Sequence, residues 1–419
     1  MVQRDVEIMA PVGSYESLRA AIQGGAGSIY FGVEQLNMRS RSSNNFSIDD
    51  LKKIAQIASE NKVKSYLTMN VEIFDGEINQ MHEVLDAAKE AGLTAVIAAD
   101  VSVIQYARSI GFEVHISTQV NITNIEAVKF YAQFADVVVL AREMNLGRVT
   151  EISTQIKEQQ VKGPSGELVR LEMFAHGALC MAISGKCYLS LHEMNSSANR
   201  GSCLQTCRRA YTVTDKETGA ELEIENEYIM SPRDLKTIHF LNKVLDAGVS
   251  VLKIEGRARS PEYVKTTVAC YREAVEAYFD GTFTDEKIEN WNTRLSSVFN
   301  RGFWDGYYLG QRLGEWSANY GSQATKRKMY IGKCTNFFKK INVAEFKLET
   351  GNLKTGDEII ITGPTSGVVE ANVEEIRYDL KPVEEGFKGQ FISVPVDKLI
   401  RRADKLFKLV DARQVKQRQ

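Results

Sequence analysis

Four of the six cysteines in this 419-residue chain crowd into one short stretch, with the spacing Cys180-x6-Cys187-x15-Cys203-x3-Cys207. Four thiolates in one segment can hold a zinc ion or an iron–sulfur cluster. Zinc ribbons and fingers favour two close CxxC-type pairs, and none is present. The wider, uneven spacing suits a 4Fe–4S cluster somewhat better, although spacing alone leaves the metal open. Four scattered buried cysteines are the bland alternative. His176 and His192 flank the group, either as ligands or, more simply, as hydrogen-bonding neighbours. Cys270 and Cys334 stand apart, and six cysteines are too few for a disulfide scaffold.

The elements that must position these thiols follow from the hydrophobic period. Short β-rich runs recur at Glu7–Ala10, Ser28–Gly32, Val63–Met69, Ala95–Asp100, Glu113–Thr118, Asp136–Ala141, Leu171–His176 and Ser250–Gly256. Amphipathic stretches separate them, among them Ser14–Gly24, Ser47–Asn61, Glu77–Ala91, Asn124–Phe134 and Asp234–Ala247. Ser14 and Ser47 are expected N-caps, and Gly92 and Gly248 expected C-caps. Runs such as VVVLA are apolar on both faces, as buried parallel strands are. Eight strands alternating with helices predict a TIM-like (β/α)8 barrel, with an open doubly wound sheet as the runner-up. No GxGxxG follows a strand, which weakens the dinucleotide-binding form of that runner-up.

Barrel enzymes carry their chemistry where the strands end at the C-terminal face. That face collects Asn37, Arg39, Arg41, Asn70, Glu72, Asp100, His115, Gln119, Arg142, Glu143, Glu172, His176, Glu255, Arg257 and Arg259. Such an arginine-rich mouth suits an anionic substrate, because a guanidinium grips carboxylate or phosphate with two hydrogen bonds. The insert after strand seven, 177–232, is far longer than the ~2–6 residues of an ordinary βα loop, and it holds the cysteines. The expected organisation is a barrel over 1–280, a helical and aromatic linker over 281–325, and a small C-terminal antiparallel β-barrel over 326–412.

Net charge is −2, but it is unevenly spread. Residues 326–419 hold 19 Lys and Arg against 13 Asp and Glu, a surplus of +6 on an otherwise acidic chain. A basic appendage fits RNA binding, and a solvated basic face is the plain alternative. Met1–Ala10 lacks the pattern of a signal peptide and no apolar run reaches membrane-spanning length, so a cytoplasmic location with no membrane partner is expected. Oligomeric state is not legible. Hydrolytic signatures are missing too: there is no HExxH, no GxSxG and no defensible Ser/His/Asp order.

The string Glu172-x-Phe174-x-x-Gly177-Ala178-Leu179-Cys180-x4-Gly185-x-Cys187-x-Leu189-Ser190 resembles the signature of the collagenase-like peptidase family U-32. The resemblance extends to Ala10-Pro11-Val12-Gly13-Ser14, His115-x-Ser117-Thr118-Gln119, Lys253-Ile254-Glu255-Gly256-Arg257-x-Arg259-Ser260-Pro261 and Arg301-Gly302. It implies an RNA hydroxylase carrying a 4Fe–4S cluster on Cys180, Cys187, Cys203 and Cys207. Its closest implied activity is formation of 5-hydroxyuridine at the tRNA wobble position with prephenate as hydroxyl donor. The alternatives are a collagenase-like peptidase, or a hydroxylase of ribosomal RNA or a small aromatic molecule. Under this reading Arg257 and Arg259 are expected to clamp the two prephenate carboxylates, with Arg39 and Arg41 as alternatives or as phosphate contacts. Asn70 and Glu255 are further substrate-binding candidates. His115, Gln119, Glu172 and His176 are expected to bind the base or handle protons. The stretch GDEIIITGPTSGVVEANVEEI also resembles the second domain of translational GTPases, a likeness consistent with tRNA as partner.

Overall fold

A computed structural model describes residues 6–34, 36–38, 40, 45–212, 216–217, 230–311, 314–317 and 321–413. Seven strands pair in parallel and in chain order: β1 (Glu7–Pro11), β2 (Ser28–Gly32), β3 (Lys64–Met69), β4 (Ala95–Ala98), β5 (Glu113–Ile116), β6 (Val137–Val139) and β7 (Arg170–Ala178). A short strand, β8 (Asp234–Lys236), runs antiparallel to the end of β7. β9 (Val249–Ile254) then pairs in parallel with both β7 and β1, and the ring is closed. The expected (β/α)8 barrel is present.

Helices α1 (Tyr15–Gln23), α2 (Asp50–Glu60), α3 (Ile78–Glu90), α4 (Val101–Ser109), α5 (Ile125–Ala132) and α6 (Leu146–Glu158) cover the outside, and α7 (Leu189–Met194) lies in the cysteine insert. α8 (Leu241–Asp246), α9 (Pro261–Phe279) and α10 (Asp285–Ser297) follow. Local chemistry sets their ends. The Ser14 hydroxyl accepts the Ser17 N–H at 3.2 Å and starts α1. Gly248, at φ +92°, ends α8, where a Cβ would also meet the Ser153 hydroxyl at 2.0 Å. Ser47 does not cap α2 as expected. Its N–H and hydroxyl both donate to Asp50 at 2.9 Å, and the helix begins at Asp50.

One element departs from the period. Asp234–Ala247 reads as helix, yet its first three residues form β8 and only Leu241–Asp246 is α-helical. The cause is the length of β7. Its last residues, His176–Ala178, overrun the barrel and need backbone partners, which Asp234–Lys236 supplies. β10 (Phe303–Trp304) extends the same edge.

The C-terminal region is antiparallel, as expected. It comprises β11 (Lys326–Phe338), β12 (Val343–Leu348), β13 (Asn352–Lys354), β14 (Glu358–Gly363), β15 (Gly367–Asn372), β16 (Ile376–Tyr378), β17 (Lys381–Val383), β18 (Glu385–Phe387), β19 (Phe391–Pro395) and β20 (Lys405–Asp411). Eight of these make one ladder, β15-β14-β20-β11-β12-β19-β16-β17, and β13 pairs with β18. Among the described residues no pairing joins β15 to β17. The sheets enclose their own core, including Phe346, Leu348, Ile361, Ile392 and Leu406. β15 docks on the barrel: the Gln23 amide donates to the Ser366 carbonyl and accepts from the Val368 N–H, both at 2.9 Å, and Lys265 pairs with Glu370 at 2.7 Å.

Inside the ring, Met9, Tyr30, Tyr66, Ala95, Ile97, Val137 and Val251 form an apolar layer. Beneath it the Glu7 carboxylate accepts from the Tyr66 hydroxyl at 2.7 Å and from Lys64 and Arg170 at 3.2 Å. Burial alone would raise its pKa; Lys64, Tyr66 and Arg170 outweigh burial and hold it at about 2. A depressed carboxyl stabilises the fold above its unfolded pKa, and that stability is lost as pH falls from near 4.5 through about 2. Glu7→Gln should therefore cost on the order of 3 kcal/mol at neutral pH and little at pH 2, measured by urea unfolding across that window.

Candidate active site

The strand ends and the cysteine insert face each other across the C-terminal mouth. Asn70, just past β3, donates to the Gln119 side-chain oxygen at 2.8 Å, and the Gln119 amide donates back to the Asn70 carbonyl at 2.5 Å. The Ser117 hydroxyl also donates to Gln119, and the Met38 N–H donates to Asn70 at 3.3 Å. Three strand ends are thus tied into one amide network. Asn121 follows in the left-handed region at φ 58° and donates to the Ser184 carbonyl of the insert at 3.0 Å. A cavity of about 220 Å³ opens between these parts, lined by Asn70, Glu72, Gln119, Tyr131, Lys186 and Asn199 among others. The buried Asn199 side-chain oxygen has no hydrogen-bond partner among the described residues. A polar atom left so is costly unless something bonds it.

Within the insert the thiols are drawn together by named contacts. α7 starts two residues after Cys187, and its Ser190 hydroxyl accepts the N–H of Leu204, next to Cys203. Arg208, next to Cys207, donates to the carbonyl of Leu179, next to Cys180, at 2.6 Å. Burial pushes the Cys207 thiol up to about 11; Arg208 opposes that rise, and Cys180, Cys203 and Cys187 reinforce it. Cys207 is thus within electrostatic reach of the other three thiols, and Cys187 of Cys180 and Cys203. Among the described residues no three Cys, His, Asp or Glu side chains converge as one metal ion would require.

The residues singled out from the sequence fall in different parts of the barrel. His115 faces the barrel interior, 1% exposed, against the Tyr66 ring and 3.0 Å from Glu113, below the mouth. Glu172 also faces inward and pairs with Lys253 at 2.7 Å. His176 does not reach the mouth. Phe174 pairs with Lys253 but His176 pairs with Ile254, a bulge that turns the imidazole outward onto Tyr263, Tyr271 and Phe303. There burial, with Lys236 and Arg259 nearby, lowers its pKa to about 3, so it is neutral at physiological pH.

The expected arginine clamp is divided between two walls. Arg257 donates to Thr68 and Asn37, both at 3.0 Å, on the β2–β3 side. Arg259 instead lies 3.6 Å over the Phe299 ring, within electrostatic reach of Arg301, Asp234 and Glu255. Glu255 accepts from the Tyr30 hydroxyl at 3.3 Å. Arg39 and Arg41 lie outside the described residues. Asp100 caps α4 through the Ser102 N–H and also accepts the Ile73 N–H of the loop after β3 at 3.0 Å. Lys253 was overlooked, though a lysine inside the apolar run VSVLKI is its own signal. Arg142 lies 4.0 Å over the Phe174 ring and adds a cation to the rim.

Residues 13–318 match the sequence profile of peptidase family U32. The chain belongs to that family. A U32 relative from Porphyromonas gingivalis strain W83, named a collagenase, is 62% identical over 404 residues, spanning 96% of this chain and 98% of its own. The tRNA hydroxylation protein P1 of Bacillus subtilis is 30% identical over 372 residues, spanning 87% of this chain and 85% of its own. The 23S rRNA 5-hydroxycytidine C2501 synthase of Escherichia coli is 30% identical over 317 residues, 74% of this chain and 46% of its own. Among the described residues of this U32 chain no helix is long and apolar enough to cross a membrane.

Proposed function

We propose that the protein hydroxylates C5 of the wobble uridine in tRNA, with prephenate as hydroxyl donor and a 4Fe–4S cluster on Cys180, Cys187, Cys203 and Cys207. The observation that carries this reading is the four-cysteine insert folded over an amide-lined cavity at the barrel mouth. A pyrimidine has to be unstacked before its C5 edge can be reached, and Asn and Gln amides bond the edge of such a heterocycle. Asn70, Gln119 and Asn199 offer those groups, and Glu72 with Lys186 leaves the lining near neutral, as an uncharged base requires. Exchanging C5–H for C5–OH removes two electrons from the base, and the donor that gives up its hydroxyl would take those electrons with the displaced proton. A cluster on the four thiolates would supply redox chemistry beside the cavity. Four thiols on one insert, with the contacts of Ser190 and Arg208 tying their neighbours together, are the donor set such a group needs.

Arg257 and Arg142 are the mouth cations suited to the donor's carboxylates, and the cationic C-terminal sheets would meet RNA phosphates. Two relatives named for RNA hydroxylation support the class of reaction. Peptidase activity is the second reading, favoured by the name of the 62% identical relative. Against it, His115, His176 and His239 are engaged with Glu113, Tyr271 and Asp305, and no histidine pairs with a serine or cysteine among the described residues.

Nucleoside mass spectrometry of RNA from a deletion strain separates these readings. Loss of 5-hydroxyuridine from tRNA, restored by the wild-type gene, is expected. Loss confined to ribosomal 5-hydroxycytidine would move the substrate. Unchanged nucleosides, with gelatin cleavage that follows the protein through purification, would favour the peptidase.

A further inference from the structure

Arg208 is a half-buried charge that the proposed reaction leaves unused. One terminal nitrogen donates to the Ser231 hydroxyl at 3.0 Å and the Pro232 carbonyl at 2.6 Å; the other donates to the Leu179 carbonyl at 2.6 Å. A single planar group thus bridges the residue before Cys180, the residue after Cys207 and the exit of the insert into β8. Arg301 lies close by, paired to Asp234 at 3.3 Å. Two guanidiniums against the one carboxylate of Asp234 leave an excess of positive charge in a partly desolvated place beside the thiols. Such an excess is costly unless an anion lies next to it.

Resting on the cluster reading above, we infer that Arg208 is a positioning residue of the cysteine centre: it clamps the Cys180 and Cys207 ends of the insert together and supplies the cation that offsets the anionic cluster. The two tasks need different properties of the side chain. The clamp requires the forked donor geometry that only arginine has. The charge requires only a cation. Lysine keeps the charge but reaches one carbonyl at a time, whereas glutamine loses the charge and most of the clamp.

The test uses the full chain, purified and reconstituted without oxygen, as wild type, Arg208→Lys and Arg208→Gln. Iron and sulfide content, the rate of iron release to a chelator and the midpoint potential are read for each. Arg208→Lys should bind the full cluster but release iron severalfold faster than wild type, with a potential close to it. Arg208→Gln should release iron faster still, and its remaining cluster should titrate at a more negative potential, since loss of a neighbouring cation disfavours the added electron. If Arg208→Gln does not fold, by circular dichroism, the release rate of Arg208→Lys decides the matter. Wild-type release rates in Arg208→Lys, or wild-type rates and potential in Arg208→Gln, would overturn this inference and leave the cluster reading standing. Wild-type protein without iron and sulfide would overturn the cluster reading itself.

Discussion

Protein purified without oxygen should be brown, with iron and sulfide near four per chain as a 4Fe–4S cluster requires, and replacing Cys180, Cys187, Cys203 or Cys207 by alanine should bleach it. The effect is expected to be all or nothing at neutral pH. These thiols sit on an insert with little apolar core of its own. Met181, Ile183, Tyr188 and Met194 are all exposed, so its described part is held by polar contacts such as those of Asn121, Ser190 and Arg208, to which a cluster would add four bonds. In a complemented deletion strain each variant should return 5-hydroxyuridine to the level of the empty vector. Cys270→Ala and Cys334→Ala are the controls. Both thiols are packed in cores, Cys270 on α9 and Cys334 on β11, away from the mouth. Their loss should trim stability by ~1 kcal/mol and leave iron and modification intact. Zinc in place of iron in the wild type, or full iron in any one of the four variants, would defeat the cluster.

The second large effect is expected at Lys253. Glu172 is fully buried, and Lys253 at 2.7 Å is its only counter-charge among the described residues; the second Glu172 oxygen has no partner there. Removing one member of such a pair strands the other in a low-dielectric interior. Lys253→Met should cost about 3–5 kcal/mol, whereas the double variant Lys253→Met with Glu172→Leu should regain much of that loss. Lys253 also lies 4.8 Å from the Tyr30 ring and 5.6 Å from Phe174, so the methionine has apolar surface to pack on. Urea midpoints of the two single variants and the double give the coupling directly. Additive losses would show that the pair is not coupled as its geometry indicates.

The barrel was legible because its strands are buried on both sides. VVVLA and VIAAD leave no polar alternation, and the helices between them carry an unbroken period. What escaped the reading was set by partners distant in sequence. His176 sits on a strand whose alternation aims it at the mouth, and one bulge against β9 turns it to α9 instead. Asp234–Lys236 has helical spacing but is captured by the overhanging end of β7. The Arg257-x-Arg259 spacing looked like a clamp, yet Gly256 at φ +157° and the turn beyond it lead the two guanidiniums to Thr68 and Phe299 respectively. The cysteines were legible by composition alone, whereas Arg208 became visible only once Leu179 and Pro232 were known to meet over it.

The order of the strands has a consequence for how the protein is made. β1 leaves the ribosome first but finds its second neighbour, β9, only after about 240 further residues have been synthesised. The insert precedes β9 in the chain, so all four thiols emerge while the ring still has an open seam between β1 and β7. The seam shuts only when the last strand arrives, and pairing across so long a stretch of chain is expected to be the slow step of folding.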